Sequence, residues 1–129
     1  MRKIRLDFSR HNPIQDMISV LSEHTNTAPK NAIRQAIWGG CRDAILSNPR
    51  GAEKDLTDWG SMAQDQPLVT GNWATLDCSK FNLSLNDIEL KCFEEVRAAM
   101  SEQLGHALSD EETVSCFLVT AARLLGCQH

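Results

Sequence analysis

Two short segments of this chain alternate strictly between polar and apolar residues, and two helix-like segments follow each of them. The alternating segments are residues 2–8 and residues 79–85. A period of two is typical of a β-strand with one buried face, because successive side chains point to opposite sides. A lone strand of this length is unstable without a partner strand and an apolar layer over its buried face. The sequence therefore predicts a duplicated strand–helix–helix unit.

The alternation also assigns each strand residue to a face, and the two strands align at a constant offset of 77 residues. The side chains predicted to face the core are Ile4, Leu6, Phe8, Phe81, Leu83 and Leu85. The side chains predicted to face outward are Lys3, Arg5, Asp7, Lys80, Asn82 and Ser84.

In the first unit, Asn12-Pro13 is a favourable helix start. The asparagine side chain can cap the helix N-terminus, and proline costs no hydrogen bond in the first turn because the N–H groups there have no partner within the helix. The apolar stripe of this helix ends near Glu23. A second helix is predicted from Pro29 to residue 46, running through Gly39-Gly40 at a cost of roughly 1 kcal/mol per glycine.

In the second unit, Asn86 is predicted to cap a helix that ends at Gly105. Ser109 and Glu112 form a capping-box pattern at the start of the last helix, and Gly126 is its predicted stop. The whole chain, residues 1–129, is interpreted as one domain. It consists of a first unit (residues 1–46), a connector (47–78) and a second unit (79–126).

The connector has no counterpart in the repeat. Residues 52–64 have a pattern compatible with a short helix, and Trp59 and Trp73 are predicted to pin the connector to the core. Since structureless loops of about 30 residues are uncommon in compact domains, the connector is expected to pack against the core.

The composition is that of an ordinary globular protein, with 42% hydrophobic and 23% charged residues among 129. No apolar run approaches the length of a membrane span and no secretion-signal pattern is seen at the N-terminus, so neither a membrane nor export is predicted. The five cysteines are scattered without a Cys-x-x-Cys pair, which favours free thiols and a cytoplasmic location.

No catalytic pattern is present in the sequence. The four histidines share no metal-ligand spacing with a cysteine or a carboxylate, and there is neither a glycine-rich phosphate loop nor a Gly-x-Ser-x-Gly elbow. The sequence therefore predicts a protein that is not an enzyme and that holds no metal and no cofactor.

The strand–helix–helix plan, with Lys80-Phe81-Asn82-Leu83-Ser84 followed by a capped helix, resembles the ribbon-helix-helix DNA-binding proteins of the MetJ/Arc type. Members of that family are usually dimers, in which one strand from each subunit forms an antiparallel ribbon that enters the major groove. This chain resembles the single-chain tandem members found among accessory proteins of conjugative plasmids and T-DNA transfer. The resemblance implies a mostly α-helical pseudo-dimer with a two-stranded antiparallel β-ribbon, stable as a monomer.

By the same resemblance, the six outward strand residues would contact DNA bases. The start of the second helix of each unit would contact a phosphate, which assigns Thr27, Lys30, Asn31 and Ser109 to that role. The second unit departs from the family here, because Asp110, Glu111 and Glu112 would repel a phosphate. DNA binding is therefore expected to be asymmetric and dominated by the N-terminal half of the chain.

The function implied is sequence-specific binding of double-stranded DNA, as a transfer accessory protein or as a transcriptional repressor. A relaxase or another transfer protein is a further expected partner.

The distribution of charge along the chain leaves an alternative function open. Residues 1–50 carry eight lysines and arginines against four acidic residues, whereas residues 51–129 carry five against thirteen. The acidic half could instead make the chain a protein-interaction module or inhibitor that does not bind DNA.

Overall fold

The computed structural model describes residues 2–9, 12–62 and 80–126. In chain order the elements are β1 (Arg2–Asp7), α1 (Asn12–Thr25), α2 (Pro29–Trp38), α3 (Cys41–Ser47), α4 (Pro49–Met62), β2 (Lys80–Leu85), α5 (Asp87–Leu104) and α6 (Asp110–Leu124). These ranges contain six helices and one two-stranded antiparallel sheet, so the predicted mostly helical fold with an antiparallel ribbon is confirmed.

β1 and β2 pair with each other although they are far apart in the sequence. Lys3 lies opposite Ser84, Arg5 opposite Asn82, and Asp7 opposite Lys80. The six side chains predicted to face inward are all at most 8% exposed. The period-two prediction of which strand residues are buried is therefore confirmed, and the ribbon has one apolar face and one polar face.

The predicted single helix from Pro29 to residue 46 is wrong. α2 ends at Trp38 and α3 begins at Cys41, because Gly40 adopts a left-handed conformation with φ of 83°. Only glycine adopts such a backbone at little cost, so the Gly39-Gly40 pair turns the chain instead of merely weakening a helix. Cys41 and Ile45 remain buried after the turn, since α3 packs on α5 and α6.

The predicted helix ends of the second unit are confirmed. The Asn86 side chain caps α5 in a capping box with Glu89, and the Ser109 side chain caps α6 in a capping box with Glu112. Gly105, with φ of 80°, ends α5, and Gly126 has φ of 73° just after α6.

The helix predicted in the connector exists as α4, which begins three residues earlier than expected, at Pro49. It packs on α5 and α6. The predicted pinning roles of Trp59 and Trp73 concern side chains that lie outside the described part of the structure.

α6 lies at the centre of the molecule. Ten consecutive residues, Thr113–Ala122, are buried, and the helix contacts β1 and every other helix. Of its buried polar side chains, Thr113 and Ser115 donate their hydroxyl hydrogens to backbone carbonyls one turn earlier, whereas the Thr120 hydroxyl has no hydrogen-bond partner among the described residues. None of the described helices is both long and apolar enough to cross a bilayer.

Two of the cysteines are buried thiols. Burial raises the pKa of the Cys41 thiol from 9.0 to about 11. Burial, together with the negative charge of Glu112, raises the pKa of the Cys116 thiol to about 12. Both thiols therefore stay protonated at neutral pH and are poor nucleophiles in the folded protein.

Because the pKa values of these two thiols are raised by folding, we expect the protein to lose stability at alkaline pH. Above about pH 9 an unfolded chain releases the thiol protons that the folded chain retains, so the free energy of unfolding falls as pH rises towards the folded-state pKa values. Urea unfolding under reducing conditions at about pH 8 and about pH 10 measures this fall. Cys116→Ala should show a smaller fall than the parent protein. An identical fall in both proteins would contradict the assignment.

Candidate nucleic-acid interface

The polar face of the ribbon brings all six predicted outward residues together. Five of them, Lys3, Arg5, Asp7, Lys80 and Asn82, are exposed, and Ser84 is half-buried. The pairing places them in three cross-strand pairs on one surface, with Arg5 and Asn82 in the middle. The surface therefore presents donors and acceptors in two parallel rows.

The opposite face of the ribbon is anchored in the core. Leu6 and Leu83 are almost completely buried, and the rings of Phe8 and Phe81 pack with centroids 6.4 Å apart at 60°. Since packed cores resist deformation, this layer fixes the direction in which the polar side chains project.

The start of α2 lies beside this polar face. A depression of about 350 Å³ is lined by the polar residues Lys3, Arg5, Lys30, Asn82 and Ser84, together with Ile4 and Leu83. Lys30 belongs to the first turn of α2, so this helix adds a third positive charge to the Lys3 side of the ribbon. Sequence reasoning assigned these residues to one interface, and the structure places them around one depression.

No side chain caps the start of α2. Its N-cap residue is Ala28, and Pro29 occupies the first turn. The Thr27 hydroxyl lies 2.9 Å from the Thr25 hydroxyl, and the Thr27 N–H donates to the Ser22 carbonyl at 3.1 Å. Asn31 is exposed. The positive end of this helix dipole is therefore not neutralised by a capping side chain.

The start of α6 is different. The Ser109 hydroxyl accepts the Glu112 N–H at 3.1 Å, and the Glu112 carboxylate accepts the Ser109 N–H at 3.1 Å. Asp110 forms an ion pair with Arg97 and lies 3.9 Å from Arg2. The predicted phosphate contact of Ser109 remains a prediction, and here its hydroxyl is engaged in the cap.

A buried carboxylate that sequence reasoning missed holds α2 against the end of β2. Glu89 is 1% exposed and accepts hydrogen bonds from the Trp38 indole N–H at 2.7 Å and the Asn86 N–H at 3.0 Å. It also pairs with Arg34 at 3.4 Å, while Arg34 donates to the Ser84 carbonyl at 2.7 Å. Arg34 therefore positions the edge of the ribbon that carries Ser84.

A second group of ionic contacts was also missed, at the first residue of β1. Arg2 pairs with Glu94 at 2.6 Å, and Arg97 pairs with Asp110 while its guanidinium lies 4.8 Å from the centre of the Phe93 ring. These contacts attach β1 to α5 and α6. They also leave Arg2 engaged with carboxylates, outside the polar face of the ribbon.

Arginines neutralise several further carboxylates of the acidic half. The Arg42 guanidinium donates to Glu95 at 2.7 Å, and Arg123 donates to Asp55 at 2.8 Å. Among the residues described, no group of three or more histidines, cysteines and acidic residues could hold a metal ion. Comparison of the chain with protein-family models, curated proteins and solved structures gives no significant match.

Proposed function

We propose that this protein binds double-stranded DNA by inserting the β1–β2 ribbon into the major groove. The observation that carries this proposal is the antiparallel pairing of two distant strands with six polar side chains on one exposed face. A B-DNA major groove about 12 Å wide admits a two-stranded ribbon. The Lys3, Arg5 and Asn82 side chains suit base edges, since lysine and arginine bind guanine acceptors and asparagine binds adenine.

Phosphate contacts would come from the start of α2. Lys30 supplies a positive charge beside the ribbon, and the uncapped helix end supplies N–H groups and the positive end of the dipole. Such contacts set the position of a protein on the duplex, whereas base contacts select the sequence. Thr27 and Asn31 lie close enough in the chain to join Lys30 in this role.

We further propose that the two strand–helix–helix units form a pseudo-dimer. The register pairs Arg5 with Asn82, which is also its counterpart at the offset of 77, so the proposed pseudo-twofold axis would pass between these two residues and Lys3 would correspond to Lys80. The second helix of each proposed unit starts close to the ribbon. Lys30 lies near Asn82 of β2, and Asp110 lies 3.9 Å from Arg2 of β1.

This arrangement makes a second copy of the chain unnecessary for building the ribbon, so the proposed DNA-binding form is a monomer. Two kinds of protein would use such a ribbon. One is a transfer accessory protein, which would also contact a relaxase, and the other is a transcriptional repressor. The rival function is a protein-interaction module that uses the acidic half. The ion pairs of Glu94, Glu95 and Asp110 reduce the free negative charge available to a basic partner.

Salt dependence of duplex binding tests the proposal. A duplex of about 20 base pairs, enriched from a random pool by binding to the protein, should be bound with an affinity that falls steeply with salt. Each phosphate contact contributes about −0.9 to the slope of log affinity against log salt.

Lys30→Ala should make that slope shallower by about one unit, because it removes one phosphate contact. Lys54→Ala, a change at an exposed lysine of α4, is the matched control and should leave the slope unchanged. Failure to enrich any duplex, or an affinity independent of salt, would count against DNA binding and favour the protein-interaction module.

A further inference from the structure

We infer that the DNA site of this protein is not palindromic and that the protein binds it in one orientation only. This inference rests on the proposed function and adds the kind of site that the ribbon selects. It follows from three differences between the two halves of the interface: at the centre of the ribbon, at its ends and at its flanks.

The centre of the ribbon carries two different side chains. Arg5 lies directly opposite Asn82, at the position of the pseudo-twofold axis. In a palindromic site the two strands of the ribbon meet the same base, so identical side chains at the two positions would suit it. Arginine prefers guanine and asparagine prefers adenine, and each good pair changes affinity roughly 5- to 150-fold against the wrong base. The two central readers therefore favour different bases.

The ends of the ribbon also differ. Lys3 and Lys80 correspond to each other, but Lys3 lies opposite the neutral Ser84 and Lys80 lies opposite Asp7. The Asp7 carboxylate accepts the Ser9 N–H at 2.9 Å. One end of the polar face is therefore positive, while the other end carries a lysine and a carboxylate whose charges cancel.

The flanks show the largest difference. When the second helices are aligned at their offset of 81, Lys30 corresponds to Glu111 and Asn31 to Glu112. The second helix of the first unit thus has a lysine and no acidic residue in its first turn, whereas the second helix of the second unit has three acidic residues there. Exposed charges act over about a Debye length, roughly 10 Å at 0.1 M salt, so each helix start acts mainly on the phosphates nearest to it. Only the α2 flank attracts the DNA backbone.

Selection from a random pool of duplexes tests this inference. The enriched sequence should lack twofold symmetry, and replacing single phosphates by neutral methylphosphonates should weaken binding on one flank of the site only. A palindromic sequence with equal effects on both flanks would overturn the inference while leaving DNA binding intact. If no duplex is enriched, the proposed function fails and the inference fails with it.

Exchanging the two central readers provides a second test. The double variant Arg5→Asn, Asn82→Arg changes only exposed side chains and should fold like the parent, as judged by circular dichroism. We expect it to bind the parent duplex roughly 5- to 150-fold more weakly and to prefer a duplex with the two central bases exchanged. Unchanged sequence preference would overturn the inference.

Discussion

Replacing Lys3, Arg5 and Lys80 together by alanine should abolish sequence-specific duplex binding and leave the fold intact. These side chains are exposed on the polar face of the ribbon, and the buried layer beneath them is unchanged in the variant. Since a good base contact contributes about 1–3 kcal/mol of discrimination, the loss of three readers should lower the affinity for the enriched duplex at least about 100-fold. Fluorescence anisotropy with a labelled duplex measures this loss.

A charge-matched control separates the ribbon from the net charge of the molecule. Arg50, Lys54 and Lys91 are exposed residues of α4 and α5, and changing all three to alanine removes the same positive charge elsewhere. The control variant should keep most of its sequence-specific affinity. Equal losses in both variants would mean that the ribbon contributes only charge, and unchanged binding by the ribbon variant would show that the groove-reading face is wrong.

Replacing Arg34 by methionine should destabilise the protein by about 1–3 kcal/mol, because it removes the half-buried charged partner of the buried Glu89 carboxylate. The substitution also removes the donor to the Ser84 carbonyl at the edge of the ribbon. Urea unfolding followed by circular dichroism gives the change in the free energy of unfolding.

A double-mutant cycle identifies the cause of that loss. Glu89→Gln removes the charge and keeps one of the two acceptor oxygens, so it can accept from the Trp38 N–H or from the Asn86 N–H but not from both. In this background, Arg34→Met should cost clearly less than in the parent. Arg123→Met, which breaks the more exposed pair with Asp55, should cost at most about 1 kcal/mol. Equal costs of Arg34→Met in both backgrounds would contradict the buried-charge explanation.

The features that sequence reasoning predicted correctly depend on neighbours in the chain. Alternation placed Leu6 and Leu83 in the core, and the cap at Asn86 and the capping box at Ser109 gave two helix starts. Each of these signals lies within a few residues, because strand parity and helix capping are local properties of the backbone. Gly105 was likewise a reliable helix end.

The errors and omissions involve interactions between distant residues. The apolar periodicity continues through Gly39-Gly40, so it did not reveal that the chain turns there to lay α3 on α5 and α6. Glu89 was not singled out from the sequence, although in the structure it is the third residue of the capping box at Asn86. Its charged partner Arg34 lies 55 positions away, and no local pattern connects the two.

By itself, the sequence determined which residues form the two strands, which of their faces is polar and where most of the helices begin, since these depend on side-chain periodicity and capping. Only the tertiary structure decided that β1 pairs with β2 in one register and that Lys30 joins the polar face of the ribbon. It also showed that arginines pair with Glu94, Glu95 and Asp110 of the acidic half. Register and ion pairing depend on residues that are far apart in the chain and that meet only when the helices and the ribbon pack together.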